Sequence, residues 1–146
     1  MKEKSGKNIP FIPAPAGTGE GIPMAVAGIS AGFPSPADDY LEAGIDLNRE
    51  LIRNPSSTFF GRVRGLSMID AGINEGDVLV IDKSLEPRNG SVAVCFLDGG
   101  FTVKRLRVEK DAVFLLPEND AFEPVRIAPG NDFVVWGIVT YVIKKM

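Results

Sequence analysis

From Thr58 onward the chain alternates short apolar runs with turn residues. The runs are FFGRVRG, DVLVID, SVAVCFL, FTVKRLRV, AVFLLP, PVRIA and DFVVWGIVTYVIKK. Each is rich in β-branched or aromatic residues, the composition that packs on a pleated surface. Between them stand Asn74-Glu75-Gly76-Asp77, Pro87-Arg88-Asn89-Gly90, Asp98-Gly99-Gly100 and Pro129-Gly130-Asn131-Asp132, residues that turn a chain rather than extend it. LDGGFTV reads as a tight hairpin, since its glycines allow positive φ. Many short strands at near-regular spacing predict a mainly β, mostly antiparallel fold.

Upstream the pattern changes. SPADDYLEAG predicts a short helix, with Ser35 as cap, Pro36 at the first position, Asp38 as the acid of a capping box and Gly44 as the stop. DLNRELIRNP predicts a second, capped by Asp46, with Leu47, Leu51 and Ile52 facing inward and Asn54-Pro55 ending it. Residues 1–36 hold six of the eleven prolines. Pro removes backbone donors and Gly adds chain entropy, so this stretch is expected to hold neither a helix nor a central strand. It reads as a flexible or extended N-terminal arm whose Ile9, Phe11, Ile12, Met24, Val26 and Ile29 can dock on a surface. The domain expectation is an arm over 1–36 and a β-rich domain over 37–146.

Composition narrows the chemistry. Nine Phe and 45% hydrophobic residues are enough for a core, and a net charge of −3 argues against a protein whose main work is neutralising phosphates. The single cysteine, Cys95, cannot form an intramolecular disulfide, and a reducing, cytoplasmic setting is the simplest expectation. The chain has no histidine. That excludes Ser-His-Asp and Cys-His catalysis and every histidine-containing metal site. GTGEG lacks the strand and helix of a dinucleotide fingerprint. Asp70, Glu75, Asp77 and Asp82 do not have calcium-loop spacing. No metal and no cofactor are expected. No run of eighteen apolar residues occurs, so no membrane-spanning helix is expected.

Two residues remain. Ser67 follows a strand beside Gly65, where the amides of Leu66 and Ser67 could converge on one point. Read alone, it is a turn serine. Lys104 lies mid-strand on the face of Thr102 and Leu106. Read alone, it is a solvent-facing strand residue. If buried, its amine loses its proton more easily and can accept one from a serine hydroxyl, supplying the base that histidine cannot.

Taken together, AGFPSPADDYLEAGIDLNRELIRNPSSTFF, GLSMIDAGINEGDVLVIDKS, DGGFTVKRL and VVWGIVTYVIKK resemble the LexA-type Ser-Lys self-cleaving (peptidase S24) family, in its UmuD-like branch, in register over about residues 29–146. Leu66 departs from the acidic residue often found at that place in the branch, but an amide hole does not use that side chain. The resemblance implies a LexA-type compact β-rich catalytic domain with Ser67 as nucleophile and Lys104 as general base. It implies the Leu66 and Ser67 amides as oxyanion hole and Ala31-Gly32 as the bond cut. It further implies a RecA filament on single-stranded DNA as promoter of cleavage, and a homodimeric product acting with a UmuC-type translesion polymerase subunit. Direct strong binding to nucleic acid or to a membrane is not expected. LexA and phage repressors carry a helix-turn-helix reader before this domain, and here only about thirty Pro/Gly-rich residues precede the cut. Two other readings stay open: a non-catalytic β-rich polymerase adaptor, and a secreted β protein whose arm is a signal peptide.

Overall fold

The computed structural model describes residues 22–25, 29, 31–33 and 41–146. The chain divides into two units, Pro15–Arg53 and a larger one that includes Asn54–Met146.

In the smaller unit β1 (Ile22–Ala25) pairs antiparallel with β2 (Leu41–Ile45), with an irregular register around Pro23, which has no N–H to give to a ladder. This corrects the end of the helix expected over residues 35–44, at Leu41 to Gly44. Residues 34–40, with Ser35, Pro36 and Asp38, lie outside the described residues, and Leu41 to Gly44 are strand. The helix-end signals at Leu41 to Gly44 lose to pairing with a segment some twenty residues upstream. Of the docking side chains expected on the arm, only Ile29 can be described, and it is exposed; Ile9, Phe11, Ile12 and Val26 fall outside the described residues. The second helix forms as α1 (Leu47–Leu51): Asp46 is its cap, its carboxylate accepting from the Asn48 amide at 3.0 Å. Leu51 is half-buried and Ile52 buried, but Leu47 is 57% exposed, so it does not face inward as expected.

The larger unit is one antiparallel sheet. Its strands are β3 (Thr58–Arg62), β4 (Val78–Asp82), β5 (Val92–Leu97), β6 (Gly100–Val108), β7 (Val113–Leu116), β8 (Val125–Arg126) and β9 (Phe133–Ile143), in the order β3-β4-β9-β5-β6-β7-β8. The mainly β expectation holds, and each predicted run contains one strand. Asp98 (φ 48°) and Gly99 (φ 94°) make the two-residue turn of the β5–β6 hairpin, with Leu97 opposite Gly100.

Strand alternation sorts the apolar side chains into two clusters. Phe59, Val63, Met68, Ile73, Leu79, Ile81 and Val94 form one, with Phe101, Val103 and Trp136 against it. Ala93, Cys95, Leu106, Leu115 and Ile138 form the other. Long β9 joins the halves of the sheet, and its register slips opposite Val80/Ile81 and again opposite Val94/Cys95. The second slip leaves Trp136 unpaired in the ladder, a bulge that re-aims its ring. The ring meets Phe59 and Phe101 at centroid distances of 4.6 and 4.8 Å. Next to it only glycine fits: a Cβ on Gly137 would lie 2.5 Å from the Cγ2 of Ile81.

Candidate active site

β3 is carried past Arg62 by Val63, whose amide donates to Asp77 O and whose carbonyl accepts from the Gly76 amide, both at 2.9 Å. The chain then turns at Gly65 (φ 92°) into the Ser67 loop. Met68, 2% exposed, anchors that loop in the first cluster. A segment beyond β7 pins it from outside. The Glu118 amide donates to Ser67 O and Glu118 O accepts from the Asp70 amide, both at 2.7 Å, and Asn119 Nδ2 donates to Leu66 O at 2.9 Å. Glu118 is itself held by Arg105 at 3.1 Å. Among the described residues, the Leu66 and Ser67 amides make no hydrogen bond within the chain.

Lys104 stands on β6 opposite Ala93 and is half-buried. Its Nζ lies 2.9 Å from Ser67 Oγ, 2.6 Å from Thr102 Oγ1 and 3.2 Å from Val103 O. Burial lowers its pKa from the usual lysine value, with the Cys95 sulfur acting weakly the other way. Cys95 is fully buried, and burial pushes its thiol up to about 11, against the opposing pull of Lys104. This agrees with a core thiol rather than a nucleophile.

The three acceptors around Nζ define what it can do. An ammonium would donate to all three. A neutral amine has two hydrogens, enough for Thr102 Oγ1 and Val103 O, which leaves its lone pair for the hydroxyl proton of Ser67. The second partner, Thr102, was not foreseen as a site residue. The signal was available: Thr102 sits two residues before Lys104, on the same strand face.

Ser67 and Lys104 open into a cleft of about 760 Å³ bounded by β3, the Ser67 loop, Phe101 to Lys104 and Phe122, and reaching Trp136. Arg62 and Arg64 stand on its β3 side. The sequence thus separates Ser67 and Lys104 by a long stretch of chain, and the fold brings them into contact. Ala31 and Gly32 belong to the smaller unit, in an exposed bend at 31–33. A Cβ added at Gly32 would meet no atom within 4 Å. No cluster of three or more His, Cys, Asp or Glu residues able to hold a metal ion occurs among the described residues, and no described helix is long and apolar enough to cross a membrane.

A β domain that seats a serine against an amine of lowered proton affinity, beside an open cleft, points to the serine peptidases as its class. The chain belongs to the Peptidase S24-like family, whose pattern matches residues 23–140. It is 45% identical over 121 residues to Protein MucA of Salmonella typhimurium, a match covering 82% of each chain. To Protein ImpA of Shigella flexneri it is 40% identical over 129 residues, covering 84% of this chain and 83% of that one. To the LexA repressor of Bordetella avium it is 38% identical over 119 residues, covering 82% of this chain but 55% of the repressor.

Proposed function

We propose that this chain is a self-cleaving serine endopeptidase of the UmuD-like branch, acting in the DNA-damage response of the cytoplasm. The observation that carries the reading is the 2.9 Å contact between Ser67 Oγ and a Lys104 Nζ whose burial favours the neutral amine. The neutral amine takes the hydroxyl proton as Ser67 Oγ attacks the carbonyl carbon of Ala31. The resulting oxyanion is met by the amides of Leu66 and Ser67. The Lys104 ammonium then returns its proton to the nitrogen of Gly32. The Ala31–Gly32 bond breaks, and an ester between Ala31 and Ser67 remains. Water, deprotonated by the same amine, hydrolyses that ester and restores the hydroxyl. Thr102 and Val103 O hold Nζ in place throughout.

The arm over 1–36 is the substrate and residues 37–146 form the catalytic and dimerising part. A tethered substrate supplies a high effective concentration, so placement can stand in for tight binding. A RecA filament on single-stranded DNA that binds the competent arrangement better than the resting one shifts that population toward cleavage. The product beginning at Gly32 then works as a homodimer with a UmuC-type subunit of an error-prone polymerase.

The test is the mass of the chain after incubation with an activated RecA filament. Cleavage between Ala31 and Gly32, absent in Gly32→Glu, is the expected result. A chain that stays intact with the filament, and also alone at alkaline pH, would return it to the status of a non-catalytic adaptor. For the later step, the chain beginning at Gly32 should support polymerase-dependent mutagenesis and the Gly32→Glu chain should not.

A further inference from the structure

We propose that Asn119 is a positioning residue for the oxyanion hole, its side-chain amide setting the direction in which the Ser67 N–H points. The inference deepens the reading of Ser67 as nucleophile given above and rests on it.

Ser67 lies between two peptide groups, and both are gripped by the segment that follows β7. Asn119 Nδ2 donates to Leu66 O at 2.9 Å, and the Glu118 amide donates to Ser67 O at 2.7 Å. The loop's own bond to Leu66 O, from the Ile69 amide, is long at 3.4 Å. The side chain of Asn119 is fixed in turn. Its Oδ1 accepts from the Ala121 amide at 3.0 Å, which leaves its NH2 for Leu66. The Phe122 amide closes the same turn on Asn119 O at 3.0 Å. The segment is rooted on the strand that carries the base. Arg105, next to Lys104 on β6, pairs with Leu116 in the ladder and holds Glu118 Oε2 at 3.1 Å. Arg105 is itself tied to Gly90 O at 2.8 Å.

A peptide group is planar and trans, so its C=O and N–H point in opposite directions. Leu66 O and the Ser67 N–H belong to one such plane. A donor on Leu66 O therefore fixes where that N–H points, and among the described residues the N–H has no partner within the chain. A hydrogen bond at the carbonyl also polarises the group and strengthens the N–H as a donor. An oxyanion hole works because its donors are aimed before charge develops and need no reorganisation. The loop turns at Gly65 (φ 92°), a residue whose wide conformational range does little to fix the planes that follow. Met68 anchors the loop through its side chain, which does not by itself set the tilt of the Leu66–Ser67 plane.

Two substitutions separate this role from a structural one. Asn119→Ala removes the donor and the Ala121 bond together. Asn119→Asp keeps the Ala121 bond but sets an anionic oxygen against Leu66 O. If the side chain only held the turn, Asn119→Asp would be the milder change. Positioning predicts the reverse order. The plateau rate of self-cleavage at alkaline pH should fall about tenfold in Asn119→Ala and about 10²-fold in Asn119→Asp, up to the scale of losing one hole donor. In Asn119→Ala the midpoint of the pH profile should stay within about 0.3 unit of wild type, because Lys104 keeps its partners. Labelling of Ser67 by a fluorophosphonate, whose phosphoryl oxygen takes the place of the oxyanion, should fall in the same order. If urea unfolding shows that Asn119→Ala does not fold, Asn119→Asp decides alone, by a loss of about tenfold or more on both readouts. Wild-type rates in either variant, a milder loss in Asn119→Asp than in Asn119→Ala, or a shifted midpoint in Asn119→Ala would each overturn the proposal. A wild-type chain that is labelled at Ser67 but never cuts itself would instead overturn the self-cleavage reading, and one that does neither would overturn Ser67 as nucleophile.

Discussion

The Ser67 loop and the bend at 31–33 are both short irregular segments, and they are held in opposite ways. Around Ser67, Met68 is sunk in the core and Glu118 and Asn119 grip the backbone of Leu66, Ser67 and Asp70. At the bend, Ile29 and Phe33 are 89% and 92% exposed, and Gly32 has open space where a side chain would go. A reacting group must be held to act, whereas a bond to be cut must be able to enter a cleft. In the proposed reaction each requirement falls in a different unit.

The sharpest way to break that contrast is Ser67→Ala. Loss of the nucleophile should reduce self-cleavage by at least about 10³-fold, while removing one half-buried hydroxyl should change stability by no more than about 1 kcal/mol. Mass spectrometry and urea unfolding read the two effects. A wild-type cleavage rate in this variant would assign the cut to another protease.

Lys104→Arg comes next. Guanidinium stays protonated, so cleavage should fall by about 10²-fold or more. In the wild-type chain the rate should climb with pH and level off below the usual lysine value of about 10.4, since burial lowers the pKa of Lys104. Stability should move in the same direction. With the folded pKa below the unfolded one, the unfolded chain binds more protons between the two, so stability rises with pH across that window. A pH-independent rate would remove Lys104 from the role of base.

The smaller effects compare two glycines. Gly137→Ala drives a Cβ into Ile81 and should cost about 1–3 kcal/mol by denaturant unfolding. Gly32→Ala meets nothing and should stay within about 0.5 kcal/mol of wild type. A destabilised Gly32→Ala chain would show that the bend is packed after all.

The larger unit was legible because its signals are local: alternating β-branched residues, and turns such as Asp98-Gly99 whose φ values only a few residues tolerate. The smaller unit was not. Leu41 to Gly44 carry helix-end signals, but their partner strand lies upstream across a Pro/Gly-rich stretch, and no local pattern reports a distant partner. Leu47 was misplaced for a related reason: a one-and-a-half-turn helix has too few positions for periodicity to fix its inner face. At the site, residue types told what Ser67 and Lys104 could do. Their 2.9 Å contact depends on the packing of Met68 and the grip of Glu118, neither of which is a motif. The buried carboxylate of Asp82 looked like one more turn acid. Burial disfavours its charge, but hydrogen bonds from Asn54, Ser84 and Ser57 outweigh this and hold its pKa below the usual value.

The state of Cys95 has a practical consequence. Its thiol is fully covered and, with a pKa near 11, almost entirely protonated at neutral pH, so maleimides and similar reagents will find the folded chain nearly blank. A cysteine placed at Phe33 or Ile29 would then be the one fast-reacting thiol. A fluorophore or spin label could be attached beside the proposed cut without first removing the native sulfur that packs among Ala93, Leu106, Leu115 and Ile138. The arm could thus be followed in real time in a chain whose core is otherwise untouched.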